Sequence, residues 1–302
     1  MSITRAALLR TAAGGALASA LGGRASAQVT MARRRIPSSG EMLPVIGLGT
    51  WLTFDHPPQR RAPLGEVLRA LFDNGGSVID SSPMYGQSEA AVGELLTAAN
   101  ARDKAFIATK VWTQGQQAGI DQMRRSMESL RTGPRIELMQ VHNLVDWRAH
   151  LATLRAWKAE GRVRYLGVTH YLASAHDELE AVMRAEALDF VQLNYALNDR
   201  AAERPLLPLA AERGIAVIVN QPFGGGGLIR QMSQKPLPAW AAEIDCVSWA
   251  QILLKFVLGH PAVTCAIPGT GRPEHMRDNA RAGFGTLPDA AMRTRMIATL
   301  DG

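Results

Sequence analysis

From residue 43 onward, short apolar runs alternate with longer amphipathic stretches. Eight runs read as strands: LPVIGLGT (43–50), SVIDS (77–81), AFIATKV (105–111), IELMQVH (136–142), VRYLGVT (163–169), DFVQLNY (189–195), IAVIVNQ (215–221) and AVTCAIP (262–268). Each is nearly continuous in apolar residues rather than alternating, which suits parallel strands covered on both faces. The stretches between them carry helical spacing. LGEVLRALFDNGG sets Leu64, Val67, Leu68 and Leu71 on one stripe and stops at glycines. DWRAHLATLRAWKAEG has Asp146 at its cap position and ends at Gly161.

Eight strands, each followed by a helix, predict an α/β chain folded as a (β/α)8 TIM barrel over residues 43–302. The alternative is a doubly wound open sheet with a dinucleotide fingerprint after its first strand. IGLGTW has two of the three glycines that fingerprint needs and no helix directly after it. FGGGGL (223–228) follows the seventh strand and leads into irregular sequence. Both read as turns, and the pattern favours the barrel.

The chain has 302 residues, 47% of them hydrophobic and 20% charged, enough for one large core. Its start differs from the rest. Residues 1–27 hold Arg5, Arg10 and Arg24, an Ala/Leu/Gly run and a small-residue ending at Ala27. That is the order of an export signal, cleaved after Ala27. It looks twin-arginine-like, though Thr4 stands where the first arginine of a pair belongs. The expectation is a periplasmic or otherwise exported protein; a start at Met31 gives a cytoplasmic one. Residues 28–42 read as an arm, with Arg33–Arg35 solvated. The three arginines of the signal supply half of the formal net charge of +6, and what remains argues for no nucleic-acid partner. No later apolar run is long enough to span a membrane. Cys246 and Cys265 lie in apolar segments and read as buried free thiols. A monomer is expected.

Working groups of such a barrel stand at the C-terminal ends of its strands. There the second run ends in Asp80, the third reaches Lys110 and the fourth His142, each one βα unit from the last. Tyr85 lies in the loop after Asp80. A buried lysine needs a partner, and Asp80 is the natural one. A phenol beside that ammonium is expected to titrate lower than its ordinary pH near 10 and to serve as general acid and base. His142 adds a donor for a carbonyl oxygen on which charge develops. Each feature alone has an ordinary structural explanation; the case rests on all four at one mouth. No H-E-x-x-H, clustered Cys/His or G-x-S-x-G is present, so neither a metal site nor a serine hydrolase is expected. These groups move protons and carry no hydride, so reduction needs a bound cofactor.

The same residues resemble the aldo-keto reductases, NAD(P)H-dependent carbonyl reductases on a (β/α)8 barrel, over about residues 36–284. GLGTW (47–51), IDSSPMYGQSE (79–89, against the family's D-T-A-x-x-Y-G-x-S-E), IATKVW (107–112), LMQVHN (138–143), FVQLNY (190–195), IPGT (267–270) and PEHMRDN (273–279) follow in the family's order. The resemblance implies a tetrad. Tyr85 is the proton donor, Lys110 held by Asp80 tunes it, and His142 orients the carbonyl. It implies NADP(H) or NAD(H) lying across the mouth. Gly49, Thr50, Trp51 and Asp80 fall at the nicotinamide end, and Gln192 at the carboxamide. Thr169 and His170 replace the usual Ser-Asn pair. Asn220 replaces the usual stacking aromatic, so that stacking is either lost or supplied by a neighbour such as Phe223. The pyrophosphate path falls to Pro222, Phe223 and Gly224.

Pro268, Gly269, Thr270, Arg272, His275, Asp278 and Asn279 fall at the adenosine end. Gly269 and His275 stand where many NADPH-preferring members have lysine and arginine, which leaves Arg272 and Thr270 for a 2′-phosphate; NADP(H) is favoured over NAD(H). Trp51 and Trp112, with Tyr85 and His142, are expected to enclose a small-molecule carbonyl substrate in an open pocket. A nucleotide-binding, redox-sensing regulatory barrel with little turnover is the alternative function, and a non-redox lyase or isomerase using the same acid–base set is another.

Overall fold

The computed structural model describes residues 30–301. The export-signal reading of residues 1–27 lies outside them. The described chain begins with an antiparallel hairpin, β1 (Arg33–Arg35) paired with β2 (Met42–Pro44). Eight strands follow: β3 (Leu48–Gly49), β4 (Val78–Asp80), β5 (Phe106–Val111), β6 (Ile136–Val141), β7 (Val163–Thr169), β8 (Phe190–Asn194), β9 (Ala216–Asn220) and β10 (Val263–Ala266). They lie in sequence order in one sheet, every neighbouring pair parallel. Parallel bridges Ile46↔Ala266 and Gly49↔Gly269 join the first strand to the last. That closure makes the sheet a barrel and sets aside the open doubly wound alternative.

Helices α1 (Ala62–Asp73), α2 (Ser88–Ala98), α3 (Gln116–Ser129), α4 (Trp147–Ala159), α5 (His176–Ala185) and α6 (Leu206–Arg213) follow the first six barrel strands. A short α7 (Gly227–Met232) precedes α8 (Trp249–Leu258), then α9 (Pro273–Arg281) and α10 (Ala290–Asp301). The stripe expected on α1 is buried as read, at Leu64, Val67, Leu68 and Leu71. Asp146 makes no side-chain cap to α4; its Oδ2 accepts from Gly115 N at 2.8 Å and ties the preceding loop instead.

The apolar runs are continuous because the strands have two apolar faces. Ile79, Ile107, Met139, Val141, Val168, Val191, Leu193, Val217 and Val219 pack under the helices. Val78, Phe106, Leu138, Tyr165, Phe190, Ala216, Ile218 and Cys265 fill the barrel. Side chains alternate along a strand, so the residues two and four positions further on continue the interior layer upward. That rule takes Val78 to Asp80, Phe106 through Ala108 to Lys110, Leu138 through Gln140 to His142, Phe190 through Gln192 to Asn194, and Ala216 through Ile218 to Asn220. The barrel is apolar at its base and polar at its C-terminal mouth.

The hairpin closes the base. Ile36 and Leu43 join the interior cluster, both buried. Arg34 is not solvated, contrary to the sequence expectation. Its guanidinium donates to His260 O at 2.9 Å and to the Val263 and Leu258 carbonyls, satisfying backbone acceptors around the end of α8. The C-terminal α10 is equally anchored: Arg293 donates to Tyr195 OH at 2.6 Å and also bonds Glu203 and Phe256 O. Among the described residues no helix is long and apolar enough to cross a membrane.

Candidate active site

Four strands meet at one carboxylate. Lys110 Nζ from β5 donates to Asp80 Oδ2 of β4 at 2.7 Å and to Ser81 O at 2.8 Å. Gln192 Nε2 from β8 donates to Asp80 Oδ1 at 2.8 Å, and Gln140 Nε2 from β6 lies at 3.5 Å from the same oxygen. β4 and β8 are not neighbours in the sheet, so Asp80 and Gln192 meet across the barrel interior. Lys110 is fully buried and Asp80 nearly so. Burial disfavours the ammonium, but Asp80, with Tyr85 and Glu89, outweighs it and the Lys110 pKa is raised. The lysine is therefore a fixed cation.

Tyr85 leans over this pair from the β4–α2 loop. Its ring lies 5.3 Å from Lys110 Nζ and edge-on to His142, with 5.9 Å between centroids. Burial pushes the Tyr85 phenol above its ordinary value, while Lys110 pulls it down. The sequence expectation of a lowered phenol counted the nearby charge and missed the desolvation, which is the larger effect. Burial, then the charges of Lys110 and His170, push His142 down to about 2. Its imidazole is neutral at any physiological pH. His142 Nδ1 lies 3.0 Å from Ser82 Oγ, and the Trp112 ring lies 6.5 Å from the His142 ring.

The mouth also holds strained backbone. Leu52 after β3, Asn143, Leu144 and Asp146 after β6, and Gln221 after β9 all have positive φ without being glycine. Such conformations cost of order 1–3 kcal/mol each and persist where surrounding structure imposes them.

The remaining expected contacts divide into free and engaged groups. Trp51 and Trp112 are exposed at the mouth, with Leu52, Met84, Tyr171 and Leu172 also exposed. Thr50 Oγ1 donates toward Asp80 O and Ser81 Oγ, both at 3.0 Å, and is fully buried. Thr169 Oγ1 accepts from Asn143 N at 3.3 Å. His170 stacks on Tyr171 at 5.8 Å, and its Nδ1 accepts from Leu172 N at 3.2 Å. Gly49 bridges to Gly269, and Pro268 is buried beside them. Thr270 Oγ1 accepts from Arg272 N at 3.1 Å. Arg272 pairs with Glu274 at 2.8 Å in an exposed position, and His275 is exposed next to it. Both oxygens of Asp278 are engaged at the start of α8, by Ser248 Oγ at 2.7 Å and Gln251 Nε2 at 2.6 Å. Asn279 is buried. Sequence reasoning missed Gln140 and Ser82. Gln140 had a signal: it precedes His142 by one strand period and so shares its face.

A nicotinamide dinucleotide fits these residues on two observations. Asn220 Oδ1 and Asn143 Oδ1 are buried acceptors without a hydrogen-bond partner among the described residues, and a carboxamide is a donor that satisfies such atoms. After β9, Gly224, Gly225 and Gly226 run consecutively through positive φ, and at Gly225 no atom of the described residues lies within 4 Å of where a side chain would start. Bare backbone of this kind suits a diphosphate. Among the described residues no cluster of three or more His, Cys, Asp or Glu is placed to hold a metal.

Comparison with known proteins agrees. The model of the aldo/keto reductase family matches residues 45–295. Methylglyoxal reductase YeaE of Escherichia coli (strain K12) is 30% identical over 258 residues, covering 83% of this chain and 89% of that protein. The NADH-specific methylglyoxal reductase of the same strain is 25% identical over 302 residues, covering 81% and 91%. The crystal structure of an aldo/keto reductase from Klebsiella pneumoniae in complex with NADP and acetate superposes with a TM-score of 0.74 at 26% identity. It covers 86% of this chain and 92% of that one.

Proposed function

We propose that this chain, which belongs to the aldo/keto reductase family, reduces an aldehyde or ketone to an alcohol with Tyr85 as general acid. The observation that carries the reading is the buried Lys110–Asp80 pair beneath Tyr85, flanked by a neutral His142.

The substrate oxygen sits between the Tyr85 hydroxyl and the His142 imidazole and accepts a hydrogen bond from each. As the carbonyl carbon is reduced, negative charge grows on that oxygen and both bonds strengthen. Tyr85 then transfers its proton to the oxygen. The raised phenol pKa keeps that proton in place until the oxygen becomes basic. Lys110 stabilises the phenolate left behind, and Asp80, itself held by Gln192, fixes the lysine. A neutral His142 donates a hydrogen bond without competing for the proton. When bound, reduced nicotinamide cofactor supplies the hydride. Asn220 and Asn143 would offer acceptors to its carboxamide, and the glycine turn after β9 would hold its phosphates.

NADP(H) is the favoured cofactor. Arg272 is exposed beside Thr270 and can exchange Glu274 for a 2′-phosphate. The Klebsiella structure holds NADP, while one relative is NADH-specific, so the two cofactors must be compared directly. Trp51 and Trp112 offer apolar walls, and methylglyoxal, on which two relatives act by name, is the first substrate to try. The test is cofactor consumption with methylglyoxal and a panel of larger aldehydes and ketones, for wild type and Tyr85→Phe. Turnover by the wild type that Tyr85→Phe lacks supports the reading. Equal rates for both, or none for either, overturn it.

A further inference from the structure

We infer that Ser82 is a positioning residue that holds His142 in the tautomer with its proton on Nε2, so that the ring presents a donor to the mouth. The inference rests on the carbonyl-reductase reading for its consequence, though not for its geometry. In the motif shared with the family, IDSSPMYGQSE against D-T-A-x-x-Y-G-x-S-E, Ser82 stands in the place of the alanine.

Counting protons fixes the tautomer. Ser82 is fully buried, so its hydroxyl proton needs an acceptor. The hydroxyl has two contacts among the described residues. Met84 N–H donates to Oγ at 3.4 Å, and His142 Nδ1 lies 3.0 Å away. The first contact uses Oγ as an acceptor and leaves the proton to be placed. Nδ1 is the acceptor within reach, so Ser82 O–H donates to Nδ1. The reverse arrangement, Nδ1–H donating to Oγ, puts two donors on one oxygen and leaves the hydroxyl proton without an acceptor among the described residues.

A neutral imidazole carries one N–H. With Nδ1 accepting, that N–H is on Nε2, which makes no hydrogen bond to the described residues. Burial keeps the ring neutral, so a second proton does not blur the assignment. The tautomer decides the chemistry. Nε2–H donates to a substrate oxygen; a bare Nε2 lone pair would repel it. Asp80 holds Lys110, which acts through Tyr85, and Ser82 holds His142, so one segment at the end of β4 supports both groups that face the substrate oxygen.

The test reads the tautomer directly. The seven histidines are labelled with ¹⁵N in the full chain, and the His142 signals are assigned by their loss in His142→Gln. The expected wild-type spectrum has a pyrrole-type Nε2 and a pyridine-type Nδ1. In Ser82→Ala the two nitrogens move toward averaged shifts, and kcat falls about fivefold, the size of one net hydrogen bond, with KM changing less. Ser82→Thr, which keeps the hydroxyl, restores the spectrum and most of kcat. A wild-type proton on Nδ1, or a Ser82→Ala variant with unchanged spectrum and kcat, overturns the inference. Absence of carbonyl-dependent cofactor consumption in the wild type overturns the reductase reading alone, because the nitrogen spectrum judges Ser82 without turnover.

Discussion

Lys110 Nζ lies 2.7 Å from Asp80 Oδ2, with side-chain exposures of 0% and 3%. A pair this deep is costly to break, because the surviving charge keeps its desolvation penalty. Asp80→Asn is expected to lower stability by about 3–5 kcal/mol. Urea denaturation measures it. The double variant Asp80→Asn/Lys110→Met should recover much of the loss, since it removes the stranded ammonium as well.

Tyr85→Phe removes the proposed proton donor and leaves the ring in place. The expected loss in kcat is about 10²–10⁴, the range for a positioned general acid. Cofactor affinity should barely change, because Tyr85 is assigned to the substrate. Fluorescence titration with NADPH, beside steady-state kinetics, separates the two effects.

The phenol's titration has a stated direction. Tyr85 is raised from 10.0, burial outweighing the pull of Lys110. Without added cofactor, subtracting the ultraviolet pH titration of Tyr85→Phe from that of the wild type should leave one phenol with a midpoint above 10.0. A midpoint below that value would mean that the charge of Lys110 outweighs burial, as the sequence spacing alone suggests.

His142 makes the fold sensitive to acid. Its pKa falls from 6.5 in the unfolded chain to about 2 in the folded one. Between those limits the unfolded state binds a proton that the folded state does not, so stability rises with pH and is lost as pH drops below 6.5. The slope from this group approaches about 1.4 kcal/mol per pH unit. His142→Gln should lose less stability than wild type on acidification across that window, by denaturation at stepped pH.

The base of the barrel offers a comparison between adjacent arginines. Arg34 bonds three carbonyls around the end of α8, whereas Arg33 bonds Met42 O in an exposed position. Arg34→Met is expected to cost about 1.5–3 kcal/mol, the range for hydrogen bonds to a charged group. Arg33→Met should stay within about 0.5 kcal/mol of wild type. Thermal or urea unfolding compares them.

The barrel was legible because both strand faces are apolar, which left eight continuous runs at regular spacing. Asp80, Lys110, Tyr85 and His142 were legible as polar groups at the ends of such runs. What the linear pattern did not show is where burial or a distant partner decides. Arg34 looks solvated beside two other arginines until its carbonyl partners near residue 260 are seen. The donors to Asp278, Ser248 and Gln251 from the start of α8, have no signal in the linear pattern. The Tyr85 shift changes sign because desolvation has no sequence signal. Ser82 reads as a turn residue until His142 is placed against it. The helices α7 and α10 begin beside Gly226 and Ala290, in stretches without a clear apolar stripe, and their packing partners come from elsewhere in the chain.

Whether Tyr85 protonates a carbonyl oxygen as cofactor is consumed is best judged in a single turnover. Protein loaded with NADPH is mixed with methylglyoxal or a larger aldehyde, and the reduced-nicotinamide absorbance is followed. That absorbance should be lost with alcohol formed in equal amount, at a rate at least about 10²-fold slower in Tyr85→Phe. Absorbance that persists in the wild type across the carbonyl panel, or decays equally fast in Tyr85→Phe, would remove Tyr85 from the role of general acid.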